Sequence, residues 1–528
     1  MPLKQLKYLA LCLLFFSSFI AANSYIQTDA DAKRVAQVLK ENQPIPDQGN
    51  GTFINPLLPS HYHDPTVVRV DKDYYMTHCA HDNRGPIIWH SRDLVNWRPL
   101  ARIDSLAGVG NIWATDLIYH NGKFYLYLPL RMRNPTAPEQ HLSFSNYVVT
   151  ATNPAGPWSK PVDLGNITGI DPGHIVTLEG ERFVYVNKGM AAPLSRDGLK
   201  ATGPARKVYD GWPIPKDWVI ECECLESPKL FMRNDWYYMV SAIGGTVGPS
   251  TSHMAIVARS RDPLGPWEND PNTPLLRTWS RDESWWSQGH GTILEANDGT
   301  WWMVYHAIPN SRRSSGRNTL MVPIKWTQTG WPKVETSTRK NPPYLMPAGE
   351  NVGHGMPLSD DFKTKELAIQ WDFLDHMPDH KKRIRSGGGA LTLTASGDSP
   401  KNATRIAQQP VNNSYELTVK VETDKGTTAG MGMLSSHGFV GLEFIDKKVI
   451  HPRRGRPVAP LKFKNNKAWL RVRNVDHDVT FHYSEDGINW HKHEWGAALS
   501  TESTQKIILY ASGKGKAKFK DYQYRGLN

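Results

Sequence analysis

Five times between residues 51 and 345 the chain repeats one hydropathic figure: a short apolar run, a polar turn, then an aromatic run. The copies are DPTVVRVDKDYYM from Asp64, DLIYHNGKFYLYL from Asp116, HIVTLEGERFVYV from His174, SPKLFMRNDWYYMV from Ser227 and GTILEANDGTWWMVYH from Gly291. Side chains that alternate with a period of two mark half-buried strands. The turn centres DKD, HNGK, EGE, RND and NDG carry the Gly, Asn and Asp that tight hairpins favour. The copies start 52, 58, 53 and 64 residues apart, a period that suits one four-stranded propeller blade each. A second figure recurs after the hairpins, as SRDLVNW ending at Trp97, NPAGPW ending at Trp158 and SRDPLGPW ending at Trp267, with a weaker copy, SRDGLKATGP, after the third. Each reads as an outer-strand turn closed by Trp. The pattern predicts a five-bladed β-propeller over residues 51–345.

The repeat stops after NPPYLMPAGENVGHG. Alternating runs then follow: SYELTVKVET, GFVGLEFI, KAWLRVRNV, VTFHYSEDGINW and TQKIILYAS. They predict an antiparallel β-sandwich over residues 358–528. Ahead of the first blade, residues 25–50 hold a short helix in DADAKRVAQVLKEN. The fold class is therefore all-β, with a propeller followed by a sandwich. A chain of 528 residues accommodates two such domains.

Composition changes this picture in three ways. Nineteen Trp and twenty Tyr suit an all-β core and supply flat faces for sugar rings. Lys4 and Lys7, followed by an apolar run to Ala22 with small residues at Ala21, Ala22 and Ser24, form a secretory signal over residues 1–24, so the protein is expected outside the cell or in the periplasm. Cys12 sits inside that run behind Leu11, which does not make a lipoprotein site. The net charge of +11 is concentrated in the C-terminal third and admits an acidic glycan or an anionic surface as partner, or simply a solvated basic face. There is no nucleic-acid motif and no second stretch able to span a membrane. Cys222 and Cys224 are too close to pair within an extended segment, which leaves a bridge to Cys79 as the long-range option and otherwise makes both small packing residues.

The chemistry gathers just before each predicted innermost strand. These positions hold Asp64 in YHDP, Asp116 in WATD, Asp171 in GIDPGH, Glu226 in ESP and His290 in GHG. Innermost strands of a propeller converge on one axis, so residues far apart in sequence meet at one rim. Clustered carboxylates cannot all ionise freely, and their pKa values separate. That is the requirement of glycoside hydrolysis, with one carboxylate as base and one kept protonated as acid. A structural ring or a metal site at the axis is the alternative reading. The histidines His61, His63, His78, His81 and His90 lack zinc-ligand spacing and read as polar residues of the rim.

Together the motifs NPLLPSHYHDP, IWATD, GIDPGH, ESPKLFMRNDWYYMVSA, QGHGTILEANDGTWWMVYHA and GRNTLMVPIKWTQTGWP resemble glycoside hydrolase family 43 over about residues 50–525. The resemblance implies a C-terminal sandwich of jelly-roll or concanavalin-like type, as in β-xylosidase-like and α-L-arabinofuranosidase-like members. It implies Asp64 as general base, Asp171 as the acid that tunes the proton donor, and Glu226 as that donor. Trp113 resembles the aromatic wall of the terminal-sugar subsite and Arg317 an arginine that binds sugar hydroxyls. His290 resembles an axial histidine that lies near calcium in some members, so a structural calcium is admitted while no cofactor is required. Asp116 is grouped with the substrate-binding residues, behind the acids. The implied mechanism is a single inverting displacement, with base and acid about 6.5–9.5 Å apart. The implied substrates are terminal α-L-arabinofuranosyl or β-D-xylosyl residues of plant or algal glycans; galactans, pectins and sulfated glycans remain alternatives. Here Ser227 follows the acid where the simpler form of the motif has Gly.

Two rivals stand beside this reading. Invertase-like propeller hydrolases also use RDP and Glu-Cys strings, but here RDP, at Arg261 to Pro263, follows the Glu-Cys pairs instead of preceding them. A carbohydrate-binding propeller that has lost catalysis would not be expected to keep all three acids. The roles of Glu221 and Glu223 stay open.

Overall fold

The structure is a computed structural model that describes residues 29–80, 84–134, 137–141, 143–334, 340–374, 380–452, 456–457 and 463–527. The expected signal segment and His81 lie outside the described residues.

Five antiparallel sheets form the propeller blades, each running outward from an inner strand. The inner strands are Thr66–Val70, Asp116–His120, Gly173–Val176, Glu226–Arg233 and Trp285–Glu295. Each pairs with the aromatic strand that follows it: Asp73–Thr77, Lys123–Arg131, Arg182–Val186, Trp236–Ile243 and Trp301–Pro309. The repeated hairpins are therefore the inner halves of the blades. The tryptophans of the second figure precede outer strands Arg98–Arg102, Val162–Thr168 and Glu268–Asn269. Trp97 and Trp158 are buried there, and their indole N–H groups close the turns on Leu94 O and Pro154 O. A fully buried large apolar side chain contributes about 1.5–3 kcal/mol, so these residues anchor the outer edges.

The fifth inner strand starts earlier than the sequence pattern suggests. Its pairing slips between Trp286 and Gly289 and again between Gly289 and Thr292. These irregularities interrupt the alternation across SQGHG, and they place His290 in a bulge with φ 56°.

Contacts between neighbouring blades hold the ring. Thr292 Oγ1 reaches Pro65 O and Arg69 Nη1 reaches Ala296 O, joining the fifth blade to the first. Pairing of Thr52–Phe53 with Tyr344–Leu345 ties the two ends of the propeller segment together.

The sandwich packs an eight-stranded sheet on a six-stranded one. Some of its strands alternate, as in Lys467–Val475, where every second residue is buried, whereas Thr404–Gln408 is buried throughout. The N-terminal helix, Asp29–Lys40, clasps the segment joining the domains. Arg34 donates to Val352 O and Gly355 O, and Glu41 accepts from the Leu358 and Ser359 amides. The sandwich also docks on the propeller directly, through Arg102–Asp372 at 2.7 Å, Arg312–Asp476 at 2.7 Å and Ser314 Oγ–His477 Nε2 at 2.8 Å.

Candidate active site

Residues at or near the starts of four inner strands share an unusual backbone. Asp64, Asp171, Ser227 and His290 have φ values of 55°, 56°, 55° and 56°. Left-handed conformations are uncommon outside glycine and concentrate at functional sites. At Asp64, Asp171 and His290 the left-handed residue is the candidate site residue itself; in the fourth blade it is Ser227, immediately after Glu226. A glycine then lets two blades close up: a Cβ on Gly173 would lie 1.5 Å from Pro228 O. That close approach brings Asp171 beside Glu226, and a carboxylate oxygen of each lies within 4.8 Å of the other and of a His290 ring nitrogen.

Asp64 is buried among nitrogen-bearing groups. His63 Nδ1 lies 2.8 Å from Oδ2, while Arg317 Nη1 and His306 Nδ1 each lie 2.8 Å from Oδ1. His290 Nδ1 stands further off, at 3.9 Å. Burial pushes this carboxyl up, but Arg317, His290, His63 and the hydrogen bond from His306 overcome it and hold Asp64 well below the usual carboxylate range. His306 also lies 3.3 Å from the Asp64 amide, yet a neutral ring with its proton on Nδ1 makes the stronger, charge-assisted bond to the carboxylate. Burial holds His306 down at about 3, so the ring is neutral.

Glu226 has the opposite surroundings. It is partly open to the pocket, and among the described residues no side chain donates a hydrogen bond to its carboxylate. Burial raises its pKa, Asp171 raises it further, and despite the nearby His290 and Arg317 it is pushed up to about 8. His290 sits between the acids, with Nε2 3.2 Å from Asp171 Oδ2. Burial lowers its pKa, but Asp64, Asp171 and Glu226 outweigh that and raise it. The arrangement places a carboxyl whose surroundings favour ionisation and one whose surroundings favour protonation around His290.

Sequence reasoning passed over several supporting residues. Lys229 is buried beneath the acids and donates to Thr115 O at 2.5 Å, Asp116 Oδ1 at 2.9 Å and Pro172 O at 3.1 Å, so it ties the second, third and fourth blades together. Asp116 also accepts from Thr66 Oγ1 at 3.3 Å. Asp116, grouped with the substrate-binding residues, is buried inside the ring, where its carboxylate pairs with Lys229. A lysine within an apolar inner strand was the available signal. His306 and His253 were equally legible only after folding: they stack at 5.2 Å and 5° beneath His290. Trp113 stands partly exposed at the pocket end of the second blade, its ring 4.7 Å from that of Phe144. Arg317 enters from the loop between the second and third strands of the fifth blade. Of the first-blade histidines, His63 and His61 reach the rim, His78 bonds Thr319 Oγ1, and His90 turns outward to Asp73.

The stretch IECECLESP folds differently from a strand. Cys222 and Cys224 form a disulfide with Cα atoms 5.3 Å apart. The expectation that they cannot pair assumed extended backbone; residues 220–225 are irregular, and Cys224 has φ 37°. Cys79 lies elsewhere, with Sγ 3.4 Å from Ile112 O. Glu221 Oε2 accepts from the Val247 and Gly248 amides, both at 2.8 Å, and so braces the rim loop that follows the second strand of the blade.

His290 Nδ1, His306 Nε2 and both ring nitrogens of His253 are buried without hydrogen-bond partners among the described residues. Calcium takes about 6–8 oxygen ligands, and this set offers imidazole nitrogens beside carboxylates that are already engaged. The residues do not fit a protein-built calcium cage, and no step below runs through a metal.

Comparison with known proteins bears on this geometry. A model described as glycosyl hydrolases family 43 matches residues 53–332, and one described as a beta xylosidase C-terminal concanavalin A-like domain matches residues 359–525. A putative beta-xylosidase of Escherichia coli is 32% identical over 526 residues, covering 87% of this chain and 94% of its own length. A non-reducing end alpha-L-arabinofuranosidase of Bacteroides ovatus is 29% identical over 376 residues, covering 66% of this chain and 67% of its own. The crystal structure of a GH43 protein from Bacillus licheniformis superposes with a TM-score of 0.75 at 26% identity, over 90% of this chain and 100% of that one.

Proposed function

The chain belongs to glycosyl hydrolase family 43 and is a glycoside hydrolase, and from that premise we propose that it removes terminal α-L-arabinofuranosyl or β-D-xylosyl residues by a single inverting displacement. The observation that carries the mechanism is the opposite electrostatic setting of Asp64 and Glu226 on the two sides of His290. Asp64, ionised, takes a proton from water as the water oxygen attacks the anomeric carbon. Glu226, protonated, gives its proton to the glycosidic oxygen as that bond breaks. Asp171 supplies the nearby negative charge that keeps the proton on Glu226. Arg317 and the histidines keep Asp64 ionised, and Trp113 offers a wall for the terminal sugar. The reaction balances with water alone and calls on no cofactor.

The choice of sugar rests on the relatives, whose names cover arabinofuranosidase and xylosidase. The N-terminal apolar run supports export from the cell. The test is a panel of nitrophenyl arabinofuranoside, xyloside and galactoside, followed by NMR of the first-formed anomer. Turnover of either pentoside with inverted product supports the reading; a retained anomer overturns the mechanism, and galactoside turnover alone overturns the substrate.

A further inference from the structure

On the rim beside Glu226 lies a second aromatic feature that the mechanism does not use. Glu226 pairs across the fourth blade with Ala242, Ala242 with Ala255, and Ala255 with Leu276. Arg277 and Trp279 therefore leave the blade at the same end as the proposed acid. Trp218 reaches that end from the other direction, eight residues before Glu226. The Trp218 and Trp279 rings meet at 5.6 Å and 83°, forming a corner. The Arg277 guanidinium lies 3.4 Å over Trp218 and 5.0 Å from the Trp279 centroid, and its Nε donates to Thr251 O. The Trp279 amide is fixed in turn by Glu283 Oε1 at 2.9 Å.

These contacts hold the corner together, and Trp279 is its solvent-exposed face. Trp279 is 52% exposed, and Val219 and Val247 on the same rim are 64% and 76% exposed. Leaving an indole and nearby valines of the same rim in water is unfavourable unless a partner covers them. The backing of Trp218 by an arginine pre-arranges the rings, which lowers the ordering cost of binding. A flat indole suits the C–H face of a sugar ring, and Arg277, only 8% exposed, backs Trp218 from behind.

We propose that Trp218 and Trp279, backed by the buried Arg277, form a subsite for the sugar on the leaving-group side of the bond that is cut. The proposal rests on Glu226 being the proton donor, because that assignment defines which side of the pocket the departing chain occupies. It makes the substrate a branched or linear oligosaccharide, recognised beyond its terminal sugar.

The test compares Trp279→Ala and Trp279→Phe with the parent enzyme on two substrates that share the terminal sugar: a trisaccharide and a glycosyl fluoride, which has no second ring. Trp495→Ala, an exposed tryptophan of the sandwich at 41%, serves as control. The expected result is a fall of about tenfold or more in the trisaccharide-to-fluoride ratio of kcat/KM for Trp279→Ala, carried by KM. Trp279→Phe should restore part of the ratio, and Trp495→Ala should leave it alone. Calorimetric binding of the same trisaccharide to Glu226→Gln, with and without Trp279→Ala, reads the subsite without turnover, and Kd is expected to rise about tenfold. Equal losses on both substrates, or an unchanged ratio, overturn the proposal. If the parent enzyme cuts neither substrate, the hydrolytic reading fails, while the binding arm still decides the subsite: an unchanged Kd then overturns it.

Discussion

On the first-blade side of the pocket, Asp64 is gripped by His63, His306 and Arg317, with His290 close by. On the fourth-blade side, Glu226 has Asp171 as its neighbour and no donor of its own among the described residues. Both groups are carboxyls at equivalent points of their blades, and burial raises the pKa of each. What separates them is the company each keeps: cations and hydrogen-bond donors on one side, a second carboxylate on the other. The propeller thus imposes different protonation states on equivalent positions by varying the side chains that surround them.

The largest break in this comparison comes from removing either carboxyl. Asp64→Asn and Glu226→Gln are each expected to lower kcat on natural glycosides by roughly 10²–10⁴-fold, as steady-state kinetics would show. Lys229→Met attacks the frame beneath both sides. It leaves Asp116 buried and unpaired, at a cost of about 3–5 kcal/mol, and should lower the thermal midpoint sharply. Adding Asp116→Asn should recover part of the loss.

Arg317→Lys keeps a charge but loses the planar fork. A charge-assisted hydrogen bond is worth about 1.5–3 kcal/mol, so kcat/KM should fall by about 10–100-fold. Because the cations hold the Asp64 pKa down, weakening one should move the acidic limb of the pH–rate profile upward. Asp171→Asn sharpens the other side. Removing the neighbouring negative charge lowers the Glu226 pKa, so the alkaline limb, set near 8 in the parent, should move to lower pH.

The smallest effect is on stability. A carboxyl whose folded pKa is raised favours the fold while protonated. Its contribution is full below the ordinary value of 4.5 and is lost as pH rises through about 8. Glu226→Gln should therefore equal the parent in thermal midpoint at pH 4 and exceed it by a few degrees at pH 9. No gain at alkaline pH would argue against a strained, raised carboxyl.

The sequence pattern made much of this legible. Five hairpins in register revealed the blades, and the register selected Glu226 over Glu221 and Glu223 within IECECLESP. Equivalent positions along inner strands predicted that Asp64, Asp171, Glu226 and His290 would converge; the structure brings Asp171 and Glu226 to one side of His290 and Asp64 to another. The remaining site residues depend on contacts between blades that no local pattern encodes. Lys229 has meaning only beside Asp116 and Pro172, and His306 only beneath Asp64. The disulfide escaped because the two-residue spacing was judged against an extended chain, whereas the positive φ at Cys224 turns the backbone back on itself.

The central claim, that Glu226 donates the proton and Asp64 activates water, is tested most directly by leaving-group dependence. A dinitrophenyl leaving group departs without protonation, whereas an alkyl or sugar alcohol does not. Measured across such a series, Glu226→Gln should keep most of its turnover on the dinitrophenyl glycoside and lose it progressively as the leaving group becomes more basic, while Asp64→Asn should lose turnover on every member. Equal losses across the series for Glu226→Gln, or retained turnover of the activated glycoside by Asp64→Asn, would contradict it.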